Sequence, residues 1–149
     1  MRKLFATDKG FSGTVLRLLL GIVIFPHGAQ KLLGWFGGGG FTSSMRWFES
    51  SFHIPTIFAL LAILAESVGA VALIAGFFTR VAALAVSVNM LVAVALVHGK
   101  VGFFMNWGGN AKGEGFEYHI LVVAIGIALM FMGGGRWSVD GVIARKLKR

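Results

Sequence analysis

The sequence has no cysteine. That absence removes a disulfide framework, a thiolate nucleophile, an iron–sulfur cluster and a covalently attached c-type haem, so any redox role rests on a bound cofactor. Charge is scarce as well: 13% of the 149 residues are charged and only six of them are acidic. No H-E-x-x-H or comparable metal spacing occurs. The four glycines at 37–40 are followed by neither Lys-Ser nor Lys-Thr and lack a βαβ context, which excludes a phosphate loop.

What fills the chain instead is apolar. Hydrophobic residues make up 56% of it, and the mean hydropathy is +0.81, outside the range of a soluble domain. The apolar residues fall into four runs, at residues 14–33, 54–78, 81–98 and 118–133. A water-soluble fold of this length would leave large parts of those runs exposed, whereas a bilayer accepts them directly. The expected architecture is one all-α domain over residues 1–149, a four-helix transmembrane bundle.

The net charge of +8 is distributed as a membrane protein distributes it. Arg2, Lys3, Lys9, Arg80, Arg136, Arg145, Lys146, Lys148 and Arg149 flank one side of the expected spans, against Arg46, Lys100 and Lys112 on the other. Nine against three places both termini and the Arg80 turn inside. Anionic headgroups account for the basic tail without nucleic acid. The basic start and first apolar run resemble a signal peptide, but no small-residue cleavage site follows Phe25, Pro26 and His27, so this is a retained helix.

Between the runs, Trp35 and Trp47 suit the membrane boundary, and residues 45–52 are expected to form a short interfacial helix. The second run, opened by Pro55, is the longest. Thr79 and Arg80 leave so little room before the third run that the two must form an antiparallel hairpin. A basic, amphipathic tail follows glycines 133–135. His27-Gly28 and His98-Gly99 close alternate helices, a weak two-plus-two repeat.

Glu66 is the sharpest chemical signal, because an ionised carboxylate mid-span costs about 2.5–3.5 kcal/mol unless compensated. Compensation is expected from Arg17, Lys31 or Asn89, the last at similar depth on the next helix. His27, Gln30 and Lys31 share one helix face. Alternating helix direction brings His98, Glu117 and His119 to the same outer level. Imidazoles beside a carboxylate suit a metal ion or the carbonyl and protons of a quinone, and polar residues also collect at an interface simply because they are cheap there. Arg17 is expected to snorkel to the headgroups. Gly69, Gly76 and Gly126, and the pairs Ala65/Gly69 and Ala124/Ala128, read as close helix contacts.

At these residues the chain resembles the DoxX family of small bacterial four-helix membrane proteins. The resemblance is carried by His27-Gly28 with Lys31 and Gly34-Trp35, Glu66 with Gly69, Gly76-Phe77-Phe78-Thr79-Arg80, and Gly115-Phe116-Glu117-Tyr118. It implies the bacterial inner membrane and a link to redox chemistry. Relatives are similar to the quinone-reducing membrane subunit of a thiosulfate-oxidising enzyme, and others accompany sulfurtransferase and superoxide dismutase in oxidative-stress defence. The thiol–disulfide chemistry of more distant relatives is closed to a chain without cysteine.

The leading expectation is a membrane redox component that handles a quinone, with Glu66, His27 and Lys31 in the chemistry and His98, Glu117, His119 and Asn89 around the cofactor. Two other readings follow from the same residues. One is a membrane scaffold that docks soluble redox enzymes on its basic cytoplasmic face, and the other is a small-solute or ion carrier that uses Glu66 within a homo-oligomer.

Overall fold

The computed structural model describes residues 4–8 and 10–147. The terminal cations Arg2, Lys3, Lys9, Lys148 and Arg149, counted above for orientation, lie outside the described residues. Within them the chain is helical: α1 (Ser12–Leu33), α2 (Gly40–Phe52), α3 (Thr56–Ala75), α4 (Thr79–Leu96), a 3-10 turn (His98–Lys100), α5 (Glu117–Met132) and α6 (Val139–Lys146). Helices α1, α3 and α4 are long and apolar enough to cross a membrane, and α5 is a shorter apolar helix of 16 residues. The chain is a multi-pass membrane protein.

The longest helix is α1, with 22 residues. The second apolar run was expected to be longest, but Pro55 stands before α3, and Gly76, in the left-handed conformation at φ 67°, ends it after 20 residues. The turn to α4 is Gly76–Phe78, and Thr79 and Arg80 already belong to α4. Helix α2 starts earlier than expected, at Gly40.

The apolar helices pack in a ring, α1 on α3, α3 on α4, α4 on α5 and α5 back on α1, around Leu20, Ile24, Leu73, Val86 and Leu129. The exposed faces remain apolar, with Leu19, Ile22, Leu61, Val88 and Phe131 turned outward, as lipid requires. Glycine decides how closely α1 approaches α3. A Cβ at Gly21 would lie 2.9 Å from the Ala70 carbonyl oxygen, and one at Gly28 would lie 2.5 Å from the Ser67 Cα and closer still to the Glu66 carbonyl. Gly126 serves the same purpose between α5 and Ala83 and Ser87 of α4. The expected Ala124/Ala128 contact is not made, because Ala124 faces outward.

The end of the ring that holds both chain ends is sewn together by three charged side chains. Arg17 is 2% exposed; its guanidinium donates to the carbonyls of Gly134 (2.7 Å), Trp137 (3.0 Å), Leu73 (3.1 Å) and Ile74. It neither snorkels nor reaches Glu66. The C-terminus of α3 and the 134–137 loop present backbone carbonyls that the forked guanidinium donors reach together. Arg80 spans Ala6, Met130 and Phe131 carbonyls. The Asp140 carboxylate receives the Phe78 and Thr79 N–H groups at 2.8 and 2.9 Å, capping α4 from α6.

Candidate functional site

Glu66 sits on the inward face of α3, where Ser67 and Gly69 are also buried. The close approach at Gly28 brings α1 against the backbone of Glu66 itself, so the last turn of α1 passes beside the carboxylate. From that turn Lys31 Nζ donates to Glu66 Oε2 at 2.5 Å. From α4, Asn89 Nδ2 donates to Glu66 Oε1 at 2.8 Å. Three helices are thereby tied through one carboxylate, and each of its oxygens has a donor.

The pair is asymmetric in its access to solvent. The Lys31 side chain is 25% exposed and that of Glu66 is 8% exposed. Lys31 therefore forms the boundary between a buried negative charge and the outside. On its outer side a cavity of about 240 Å³ lies between the end of α1 and α2, lined by Lys31, Gly39, Ser43, Ser44, Trp47 and Phe48. Of the compensating partners expected for Glu66, Lys31 and Asn89 are in contact with it and Arg17 is not.

Three of the four histidines follow one another through ring contacts, His27 by way of Tyr118 to His119 and then His98. His98 and His119 lie against each other with ring centroids 4.2 Å apart and planes tilted by 40°, and His98 Nδ1 lies 2.8 Å from the Glu114 carbonyl oxygen. His119 is buried, and its Nδ1 has no hydrogen-bond partner among the described residues. His27 is exposed on the flank of α1, with its ring 6.4 Å from that of Tyr118. The Tyr118 hydroxyl is also buried and has no hydrogen-bond partner among the described residues. In the sequence Tyr118 stands only as part of the Gly115-Phe116-Glu117-Tyr118 motif and not as a site residue, although its position beside His119 was the available signal. A buried hydroxyl without a hydrogen bond of its own is one whose role has to be explained.

Glu117 does not join the histidines. Its Oε1 accepts the Met105 N–H at 2.9 Å and the Trp107 indole N–H at 3.2 Å. As the first residue of α5, it turns back onto the loop that precedes the helix and fastens it. In the structure its carboxylate is engaged by the connection that precedes α5. Among the described residues no group of three His, Asp or Glu side chains is arranged to hold a metal ion.

A family model described as DoxX matches residues 13–99. That stretch contains His27, Lys31, Glu66, Asn89 and His98, while Glu117 and His119 lie beyond it. The protein named "Putative oxidoreductase CatD" from Bacillus subtilis (strain 168) is 30% identical over 124 residues, which cover 82% of this chain and 82% of that protein. No solved structure matches.

Proposed function

The chain belongs to the DoxX family, and from that premise we propose that it is a quinone-binding component of a membrane oxidoreductase, with Lys31, Glu66 and Asn89 as its polar centre. The observation that carries this reading is the ion pair itself. A buried carboxylate whose ammonium partner stands at the boundary with solvent gives one face that donates hydrogen bonds to a carbonyl and one group that takes up and returns a proton. A quinone acquires two electrons and two protons on reduction. The electrons come from a redox partner enzyme, and this chain's residues provide the binding and the protons. The relative's name, which describes an oxidoreductase, points the same way.

In this reading α1, α3, α4 and α5 all cross the bacterial inner membrane, with both termini cytoplasmic; α5 completes its crossing with flanking residues. The Lys31 centre then faces the outer half of the bilayer. Reporter fusions after residue 147 and near Gly40 are expected to report opposite sides of the membrane.

The test of function is direct. Protein purified in mild detergent is extracted with organic solvent and analysed for quinone, and the emptied protein is titrated with a short-tailed benzoquinone. Saturable binding that Glu66→Gln weakens supports the proposal; the absence of both retained quinone and saturable binding ends it. A second reading, docking of a soluble redox enzyme at the inner end, is favoured by the exposed side chains of Arg145 and Lys146 on α6. Deletion of residues 145–149 should then release a co-purifying enzyme, and unchanged pull-downs would dismiss it.

A further inference from the structure

The cavity under α2 shares Lys31 with the buried carboxylate, and its chemistry is specific. An ammonium has three N–H donors. One is committed to Glu66, which leaves donors for a group placed on the cavity side. Because Glu66 lies 2.5 Å away, the positive charge is already offset. A phosphate or carboxylate entering here would gain Lys31 and meet the Glu66 charge behind it. A neutral acceptor, such as a ring carbonyl, meets no such opposition.

The remaining lining suits a flat ring. Trp47 is held at a fixed tilt by Phe52, whose ring centroid is 4.8 Å away in an edge-on contact, and by Phe48 at 5.2 Å. Its indole is half-exposed and borders the cavity. Ser43 and Ser44 add hydroxyls that donate as readily as they accept. The volume of about 240 Å³ is below that of pockets for drug-sized molecules, so it holds a single ring while a tail stays outside. Trp35, Phe36 and Phe41 are exposed around the same connection, an aromatic belt of the kind found where protein meets the bilayer surface.

We propose that this cavity seats the head ring of a para-quinone or its hydroquinone, with one ring oxygen on the Lys31 ammonium and the ring face against Trp47. This inference rests on the quinone reading above and adds the place of the ring, under α2 and away from the His98–His119 pair. The roof is suited to admit it. No residue of α2 is buried, so a ring seated beneath it does not compete with the core for space.

The experiment uses the full chain in lipid nanodiscs with Trp35, Trp107 and Trp137 replaced by Phe, which leaves Trp47 as the sole indole. A decyl-tailed benzoquinone is the probe, followed by quenching of Trp47 fluorescence and, in the unmodified chain, by calorimetry. Saturable quenching is expected. Ser44→Phe, which fills the cavity, and Lys31→Met should each weaken binding at least tenfold. If Ser44→Phe does not fold, Trp47→Ala, read by calorimetry, should weaken it as well. Binding that is saturable but unaffected by all three variants places the ring elsewhere and overturns the inference while the quinone reading stands. No saturable binding by the unmodified chain overturns both. Displacement of the probe by phosphatidylglycerol, but not by phosphatidylcholine, makes the cavity a lipid headgroup site and also overturns the inference.

Discussion

Replacing Glu66 separates hydrogen bonding from charge, because both of its partners are donors. Glu66→Leu keeps the volume and deletes both acceptors, which breaks the bonds to Lys31 and Asn89. Interhelical hydrogen bonds in membrane proteins are worth on average about 0.6 and at most about 1.7 kcal/mol each, so the loss should be about 1–3 kcal/mol. The Lys31 share falls at the low end, since its side chain is 25% exposed and can turn to water. Glu66→Gln is subtler. Its oxygen can accept from Lys31, and its amide can donate to Asn89 once the Asn89 side chain flips to present its own oxygen. Both contacts survive as weaker ones, and because charge-assisted bonds are roughly twice as strong as neutral ones, the Gln cost should be about half that of Leu. The double variant Lys31→Met/Glu66→Leu should recover stability relative to Glu66→Leu alone, since it leaves no orphaned ammonium. Thermal unfolding in detergent, with helix content as the signal, should rank native above Gln above Leu. A Leu variant as stable as the native protein would show that the carboxylate does not tie α1, α3 and α4 together.

Other variants probe the frame around the site. Arg17→Met should cost about 3 kcal/mol, because four carbonyls, two of them in buried bonds, lose the guanidinium together, and Arg17→Lys should recover only part of it, since an ammonium lacks the guanidinium fork; melting temperature and folded yield report both. Gly28→Ala should destabilise by about 1–3 kcal/mol through overpacking against the Glu66 and Ser67 backbone, whereas Gly69→Ala, whose nearest neighbour is Val86 at 3.5 Å, should be tolerated in the same melting assay. Asp140→Ala removes the cap on α4 and should cost about 0.5–2 kcal/mol. It should also speed proteolysis between residues 136 and 147, where α6 is fastened.

The apolar runs, the tight α3–α4 turn and the proximity of Glu66 to Asn89 were legible because each depends on local pattern: hydrophobic length, a short connection, and equal distance from that turn. What was not legible depends on distant backbone. Arg17 near the end of an apolar run looks like any snorkelling cation, and only the folded positions of Ile74, Gly134 and Trp137 show that it has carbonyls to satisfy. Asp140 looked like the lone acid of a basic tail, yet it caps a helix that begins 61 residues earlier. Glu117 shares a level with the histidines but obeys the nearer demand of Met105 and Trp107. Gly21 and Gly28 did carry a signal, seven residues apart on one helix face, which marks a contact stripe.

Arg17 also sets a schedule for biogenesis. Its acceptors lie 56 to 120 residues farther along the chain, so the first helix is made long before the carbonyls that satisfy it. At about 5–20 residues per second, the ribosome needs about 6–24 s to deliver Trp137 after Arg17. Until Leu73 and Ile74 are made, the guanidinium has only water, headgroups or the insertion machinery for company, and two of its four acceptors are missing until residues 134–137 follow. Helix α1 is thus settled by a segment made long after it, and a nascent chain arrested before residue 134 should be one whose α1 is still exchanging between bilayer and surface.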